Sequence, residues 1–429
     1  MKRILSLILA LFLVFSVAGC KETEDSSRES YVREGYVIVV SQNADSYELN
    51  AAEYIKAEIK EKADLDIEII TDDKENTDKN EILIGDTNRE LSKEIKKDKT
   101  DGFEFSLKAN GYSFAIEAES YVIAAAAYTF CETYVKKDFS LTFPMKEKTL
   151  TPTVKKAKNA ILLIGDGMGF NHTKLLDDRE EGDNYFYGTL FMNQGESITS
   201  SLSGVTDSAA AATALSTGVL TTNGRIGRDK DGKDLELMTE YANKLGLQSA
   251  VMSTEGQTGA TPAGFSAHAD SRDDTKDIKN CQSQIKNTVI IGDLRARNGL
   301  DIVPSINETL TKLENEKGFF IMYEEAYIDK YSHDRDLRSA TNAVARFNTA
   351  IGAFMEYVFY NPETVVIITA DHETGGLLKT DDGFRYTTNA HTGVNVPVFA
   401  YGYGTEYFND ATVKNIDIST FIRKTLAGN

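Results

Sequence analysis

Short apolar runs alternate with stretches of helical period along most of this chain. Tyr36 to Val40 reads as a strand, and residues 46–63 place Leu49, Ala52, Ile55 and Ile59 on one helical face. Ile67 to Ile70 and Ile82 to Ile84 read as short strands. Phe103, Phe105 and Leu107 alternate with polar residues, and Tyr112 to Ile116 returns after Ala109-Asn110-Gly111, the pattern of a hairpin. An alanine-rich helix is predicted over 121–135. Past residue 158 the strands fall at 160–164, 248–252, 319–323 and 365–369, with helices at 207–217, 234–245, 306–316 and 336–358. Such alternation predicts an α/β fold, a mostly parallel sheet with helices on both faces, preceded by a small α/β domain. Ligands of such sheets gather at the carboxyl ends of the strands.

The first twenty residues break the pattern. Lys2 and Arg3 precede an apolar run, Ile4 to Val17, that is short for a membrane span, and the run ends in Val-Ala-Gly-Cys. This resembles a bacterial lipoprotein signal, with cleavage before Cys20 and lipidation of that Cys tethering the mature chain to an extracytoplasmic membrane surface, periplasmic or outward-facing. The division is then signal 1–20, polar tether 21–30, accessory domain 31–144, linker 145–157 and catalytic domain 158–429. The other cysteines, Cys131 and Cys281, are too few for a disulfide framework and read as buried small hydrophobes. At 429 residues with 41% hydrophobic and 26% charged residues, the composition is globular. A net charge of −19 argues against nucleic-acid binding, and any phosphate site here needs local positive charge from Arg or metal.

Residues 31–144, especially EILIGDTN and GFEFSLKANGYSFAIEAESYVIAAAAYTF, resemble the non-catalytic α/β domain that precedes the barrel in several glycoside hydrolases. The resemblance implies an accessory module for placement, or for cell-wall or glycan contact. No barrel follows, so it does not imply sugar hydrolysis.

The chemistry lies further on. ILLIGDGMG puts Asp166 in a glycine turn after an apolar strand, and VVIITADHE puts Asp371 and His372 where another strand ends. Adjacent side chains on an extended segment diverge, so both reach one metal only where the chain turns. Singly, these are equally well turn chemistry and a structural Asp-His pair. Asp329 and His333, in AYIDKYSHD, are four apart and can converge on one ion; His391, in NAHTGVNVPVF, adds an imidazole. Only five histidines occur in the chain, and three of them follow apolar stretches beside acids. Together these residues make two sets of three ligands, and three ligands with an open position suit a catalytic zinc. Two such ions about 4 Å apart serve an in-line displacement. In TDSAAAATAL, Ser208 starts a helix, where the dipole and a metal favour its alkoxide, and the small alanines leave room behind it. The plain alternative is an N-cap followed by strong helix formers. Arg272, in AHADSR, can grip a tetrahedral anion bidentately. These parts suit phosphoryl transfer to serine followed by hydrolysis.

LLIGDGMG, TDSAAAATALSTGV, TNGRIG, ATPAGFSAHADSR, EKGFFIMYEEAYIDKYSH, VVIITADHETGG and HTGVNVPVFAYG, in this order, make residues 158–429 resemble the catalytic domain of alkaline phosphatases. The resemblance implies that Asp329, His333 and His391 hold the zinc facing the leaving-group oxygen, and that Asp166, Asp371 and His372 hold the zinc beside Ser208. Asp166, Thr261 and Glu324 would hold a third, harder ion, normally magnesium. Arg272 would bind the phosphate, Asp207 would steady Arg272, and a phosphoserine would form and be hydrolysed. Small phosphate monoesters as substrates and a homodimer are also implied. The chain departs from the family in three places. Gly259 stands two residues before Thr261, where Asp or His is usual. Lys330 follows Asp329 and would reach phosphate through water, and Glu325 stands where Gly is common. No large capping insertion fits after His391, which suggests broad monoester scavenging. The rival readings are a phosphodiesterase or other member of the wider superfamily, a tethered metal-holding binding protein without turnover, and a glycan adhesin. Ser208 within DSAAAATA together with Arg272 favours the monoesterase.

Overall fold

The computed structural model describes residues 29–32, 36–75, 80–97, 105–110, 113–118, 123–136, 140–144, 157–176, 186, 193–295, 302–313, 316–361 and 363–428. The signal and the lipidated Cys20 lie outside them, as does all of the linker except Ala157. Of the tether, residues 29 and 30 belong to the strand Glu29–Val32, which pairs with Ser140–Pro144.

Two main sheets divide the chain. The first has five strands in the order Glu68–Thr71, Val37–Val40, Glu81–Ile84, Ser113–Ala118, Phe105–Ala109, all parallel except the last pair, which is the expected hairpin. Its helix Ser46–Ala63 begins with a capping box on Asp45 and Glu48. Ala52, Ile55 and Ile59 are buried as the period requires, but Leu49 is 46% exposed. Ala51 and Ala63 complete the buried stripe in its place, because the helix turns this edge of the periodic face past the sheet.

The second sheet has eight strands, in the order Thr288–Ile291, Gln248–Ser253, Phe319–Glu325, Asn159–Gly165, Thr364–Thr369, Val396–Tyr401, Asn193–Ile198, Thr412–Lys414. Only Val396–Tyr401 runs antiparallel to its neighbours. Side chains of the central strands alternate between two cores. Ile161, Leu163, Ile321, Tyr323, Val366 and Ile368 pack under the long helix Leu337–Tyr360. Ala160, Leu162, Phe320, Met322, Val365 and Ile367 pack with Leu215 and Ile418 of the helices Ser208–Thr217 and Asn415–Ala427. Helices therefore cover both faces, as expected from the apolar runs buried on both sides.

Some elements differ from the sequence expectation. The helix expected over 234–245 is only Met238–Lys244, because Arg228 and Asp234 bridge across a turn at Asp229 to Gly232. The helix expected over 306–316 starts earlier, at Val303, with Pro304 in its first turn where no donor is missed. Cys131 is buried, while Cys281 is only half-buried, with its thiol donating to the His268 carbonyl at 3.5 Å. Among the described residues, no helix is long and apolar enough to cross a membrane.

Candidate metal and phosphoryl-transfer site

Four adjacent parallel strands, Gln248–Ser253, Phe319–Glu325, Asn159–Gly165 and Thr364–Thr369, bring their carboxyl ends to one place. Asp166 follows the third and Asp371 the fourth, and Glu324 is next to last on the second. The turn after Asp166 needs Gly167, whose φ is +72° and whose missing Cβ would stand 2.8 Å from the Asp329 backbone. This close approach seats the short helix Tyr327–His333 against the turn. Asp329 and His333 then share one face of that helix.

His333 and His391 face each other. His333 donates from Nδ1 to the Asn389 carbonyl at 2.7 Å, and His391 from Nδ1 to the Thr206 carbonyl at 2.9 Å. Both Nε2 atoms therefore carry lone pairs, and they stand 3.1 Å apart. Asp329 Oδ1 lies 3.3 Å from one and 3.6 Å from the other. Ligands of a tetrahedral zinc at its usual bond lengths lie about 3.3 Å from each other. The triangle fits that ion. Without a cation or a proton between them, the two lone pairs would repel.

A second group surrounds His372, which is fully buried. Thr374 donates its only hydroxyl proton to Asp329 Oδ1 at 2.5 Å and so receives His372 Nδ1 as donor at 3.2 Å. That leaves His372 Nε2 free, with Asp371 Oδ2 at 3.2 Å, Ser208 Oγ at 3.3 Å and Asp166 Oδ1 at 3.5 Å. Burial, with His391 adding to it, lowers the His372 pKa to about 3, so the ring is neutral and fit to be a ligand. Asp166 and Asp371 thus both approach His372 Nε2. Asp329 also lies within 4.8 Å of Asp166 and His372, so the two sets adjoin.

Among the described residues, four buried oxygens here find no partner in good hydrogen-bond geometry: Asp166 Oδ1, Asp371 Oδ2, Glu324 Oε1 and Thr261 Oγ1. Thr261 is nonetheless close enough to Glu324 to oppose the rise in its pKa. Burial pushes the carboxyls of Asp166 and Glu324 well above their ordinary values, and repulsion from Asp371 and Glu255 among other acids pushes further. Burial also raises Asp371, against the pull of the Gly167 N–H. Orphaned carboxylate oxygens crowded in a low-dielectric site are costly unless a cation joins them. Asp166, Thr261 and Glu324 together are an all-oxygen set, the kind a hard ion prefers.

Ser208 is the first residue of the helix Ser208–Thr217, and Asp207 is its N-cap. One Asp207 oxygen accepts from Ala210 N at 3.0 Å. The other accepts from Gly224 N at 3.0 Å and from Arg272 Nη1 at 3.2 Å. Ala209 to Ala212 are buried. They let the helix Ala260–Gly264 approach so closely that a Cβ on Gly264 would stand 2.6 Å from that of Ala212. TDSAAAATAL is a capped helix start, and its hydroxyl stands 3.3 Å from His372 Nε2.

Three partners escaped the sequence reading: Glu255, Thr374 and Arg346. Glu255 is not part of a recognisable motif, yet Lys330 donates to its Oε2 at 2.5 Å. Thr374 follows DHE and could have been sought as the hydroxyl that orients its histidine. Glu325, whose effect the sequence leaves open, is fully buried and clamped by Arg346 through Nε at 2.7 Å and Nη2 at 2.5 Å.

The family model of alkaline phosphatases matches residues 157–298 and 301–384, more than half of the chain. Alkaline phosphatase 3 of Bacillus subtilis is 30% identical over 297 residues, which are 53% of this chain and 63% of that protein. Alkaline phosphatase 4 of the same organism is 28% identical and matched over 62% of its length. The chain thus covers about three fifths of these curated relatives. Among solved structures, the alkaline phosphatase of the Antarctic bacterium TAB5 is 27% identical with a TM-score of 0.57, covering 65% of this chain and all of that one. A mutant of that enzyme, equally similar, has Mg bound in its M3 site. The Thermus thermophilus enzyme, 16% identical with a TM-score of 0.54, shares the fold. The chain belongs to the alkaline phosphatase family, and its mostly parallel sheet has that family's architecture.

Proposed function

We propose that this chain is a metal-dependent phosphate monoester hydrolase, an alkaline phosphatase that works through a phosphoserine on Ser208. The observation that carries this reading is the meeting of the Ser208 hydroxyl, the unprotonated His372 Nε2 and the orphaned oxygens of Asp166 and Asp371 in one buried place. Zinc held by Asp329, His333 and His391, zinc held by Asp166, Asp371 and His372, and magnesium held by Asp166, Thr261 and Glu324 would supply Lewis-acid charge to a transferring phosphoryl group.

The chain's own groups have distinct tasks. Ser208 Oγ stands at a helix N-terminus, where the aligned backbone dipoles favour its anion over the neutral hydroxyl. Asp207 fixes the rotamer of Arg272, whose guanidinium is partly open to solvent and offers two parallel N–H groups to phosphate oxygens. Thr374 fixes the tautomer of His372. Lys330 adds positive charge at the rim, which a protein of net charge −19 needs to draw an anion.

The rest of the reading follows from the sequence. The accessory domain 31–144 places the enzyme or contacts cell wall or glycan, in the manner of the glycoside hydrolase module it resembles. Lipidated Cys20 holds the chain at an extracytoplasmic bacterial membrane, and the catalytic domain pairs as a homodimer. Small monoesters are the substrates.

The test is hydrolysis of p-nitrophenyl phosphate and of its bis-ester by zinc- and magnesium-loaded protein. Monoester turnover that falls by on the order of a thousandfold or more in Ser208→Ala supports the proposal. Preference for the diester, or turnover that survives in Ser208→Ala, overturns it.

A further inference from the structure

Gly259 has no side chain, and the space a side chain would take there is filled from elsewhere. A Cβ built on Gly259 would stand 1.7 Å from Oε1 of Glu255, 2.2 Å from its Cδ and 2.9 Å from its Cγ, and these are its three nearest neighbours. The backbone at Gly259, φ −56° and ψ 159°, is one that any residue adopts. The Glu255 side chain therefore stands where any residue larger than glycine would put its Cβ at position 259. The two positions share one space, and here Glu255 occupies it.

The occupant is tied into the site on three sides. Its Oε2 accepts from Lys330, the neighbour of Asp329, and its backbone N–H donates to Ser253 Oγ at 3.0 Å. Ser253 in turn donates to Glu324 Oε2 at 2.5 Å, so Glu324's remaining oxygen is the orphaned one. The Asp293 N–H donates to the Glu255 carbonyl at 2.5 Å, anchoring the segment that carries the acid. The carboxylate is largely buried, and its charge adds to the repulsion on both Glu324 and Asp166.

We propose that Glu255 is the positioning residue of the third, hard-cation site. Reaching through the space that Gly259 leaves open, it adds a carboxylate beside the Asp166, Thr261 and Glu324 oxygens and holds Lys330 over the rim. This rests on the metal-dependent reading above and deepens it. The acid and the glycine are one device. Glu255 needs the glycine, and a glycine at 259 leaves the site short of a carboxylate unless Glu255 is present.

The experiment measures magnesium uptake of the full zinc-loaded protein by titration calorimetry and elemental analysis, alongside kcat and KM. It compares wild type, Glu255→Gln, Glu255→Ala, Gly259→Asp and the double variant Glu255→Ala with Gly259→Asp. Glu255→Gln should keep its zinc content and melting temperature while losing about 10- to 100-fold in magnesium affinity, the usual range for a group that supports ligands. The double variant should recover most of the loss, because an Asp at 259 then enters the vacated space. Gly259→Asp alone should bind magnesium worse than the double variant. Equal magnesium affinity in wild type and Glu255→Gln would overturn the proposal alone, as would a double variant no better than Glu255→Ala. A wild type that takes up neither zinc nor magnesium would overturn the metal reading and this proposal with it.

Discussion

Both sheets end parallel strands in buried acids, but the acid that follows the first sheet's edge strand is met on every side, while those crowded in the second are not. In the N-terminal sheet Asp72 follows the strand Glu68–Thr71, and each of its oxygens is met: Gln42 N donates to Oδ1 at 3.0 Å and Asn88 N to Oδ2 at 2.8 Å. In the larger sheet Asp166, Glu324 and Asp371 occupy the same kind of position, each with an oxygen that no hydrogen bond reaches. The contrast recurs between neighbours on one strand. Glu325 points away from the site into the fork of Arg346, while Glu324 points into it. Position at a strand end is therefore not what makes a carboxylate a ligand. What distinguishes the site is three such acids crowded into one buried place, where each repels the next at a cost that a structural role would not sustain.

Removing the metals breaks the contrast most severely. Chelation should abolish turnover, and it should also leave a fold whose stability depends on pH with an unusual sign. A carboxyl whose folded pKa is raised stabilises the fold below its unfolded value, about 4, and loses that contribution as pH rises through the raised value. Asp166, Glu324 and Asp371 are all raised. Melts of the chelated protein should thus show Tm falling from weakly acid toward alkaline pH, and added zinc should raise Tm most at the alkaline end. A Tm independent of pH over that range would mean the acids are not crowded as described.

Smaller in effect, Glu325→Ala strands the buried Arg346 charge and should cost about 3–5 kcal/mol in urea unfolding. Replacing both partners by apolar residues should cost less, whereas a double variant as unstable as the single would show the pair is not the cause. Smallest is Asp72→Ala, which removes the acceptor of two backbone donors and should cost about 1–3 kcal/mol with kcat unchanged. A fall in kcat would mean the two sheets are coupled more tightly than the contrast supposes.

Much of this was legible along the chain, for physical reasons. Strands buried on both faces must be continuously apolar, so ILLIG, FFIMY and VVIIT announce themselves, and a turn beside each puts the next acid at a strand end. The i, i+4 spacing of Asp329 and His333 is likewise local. The strand Asn193–Ile198, written NQGESI, carries no apolar run because it lies near the sheet edge, and it went unread. The helix Glu90–Lys97, largely polar, also went unread. Leu49 matched the period of its helix yet faces outward, since period fixes a face but not how far the sheet extends beneath it. Glu255 and the Glu325–Arg346 pair were illegible because their meaning is a shared space or a partner on another element, and such facts exist only after folding.

The close packing of Ala212 against Gly264 has a mechanical consequence. Where large side chains meet, a position is defined by rotamers that can hop. Here two short helices meet almost backbone to backbone, and alanine and glycine have no rotamers to change. The location of Ser208 Oγ therefore inherits the stiffness of peptide planes and helix hydrogen bonds, leaving only its own χ1 to choose. The Ser208 hydroxyl is registered by the parts of the chain with the fewest ways to move.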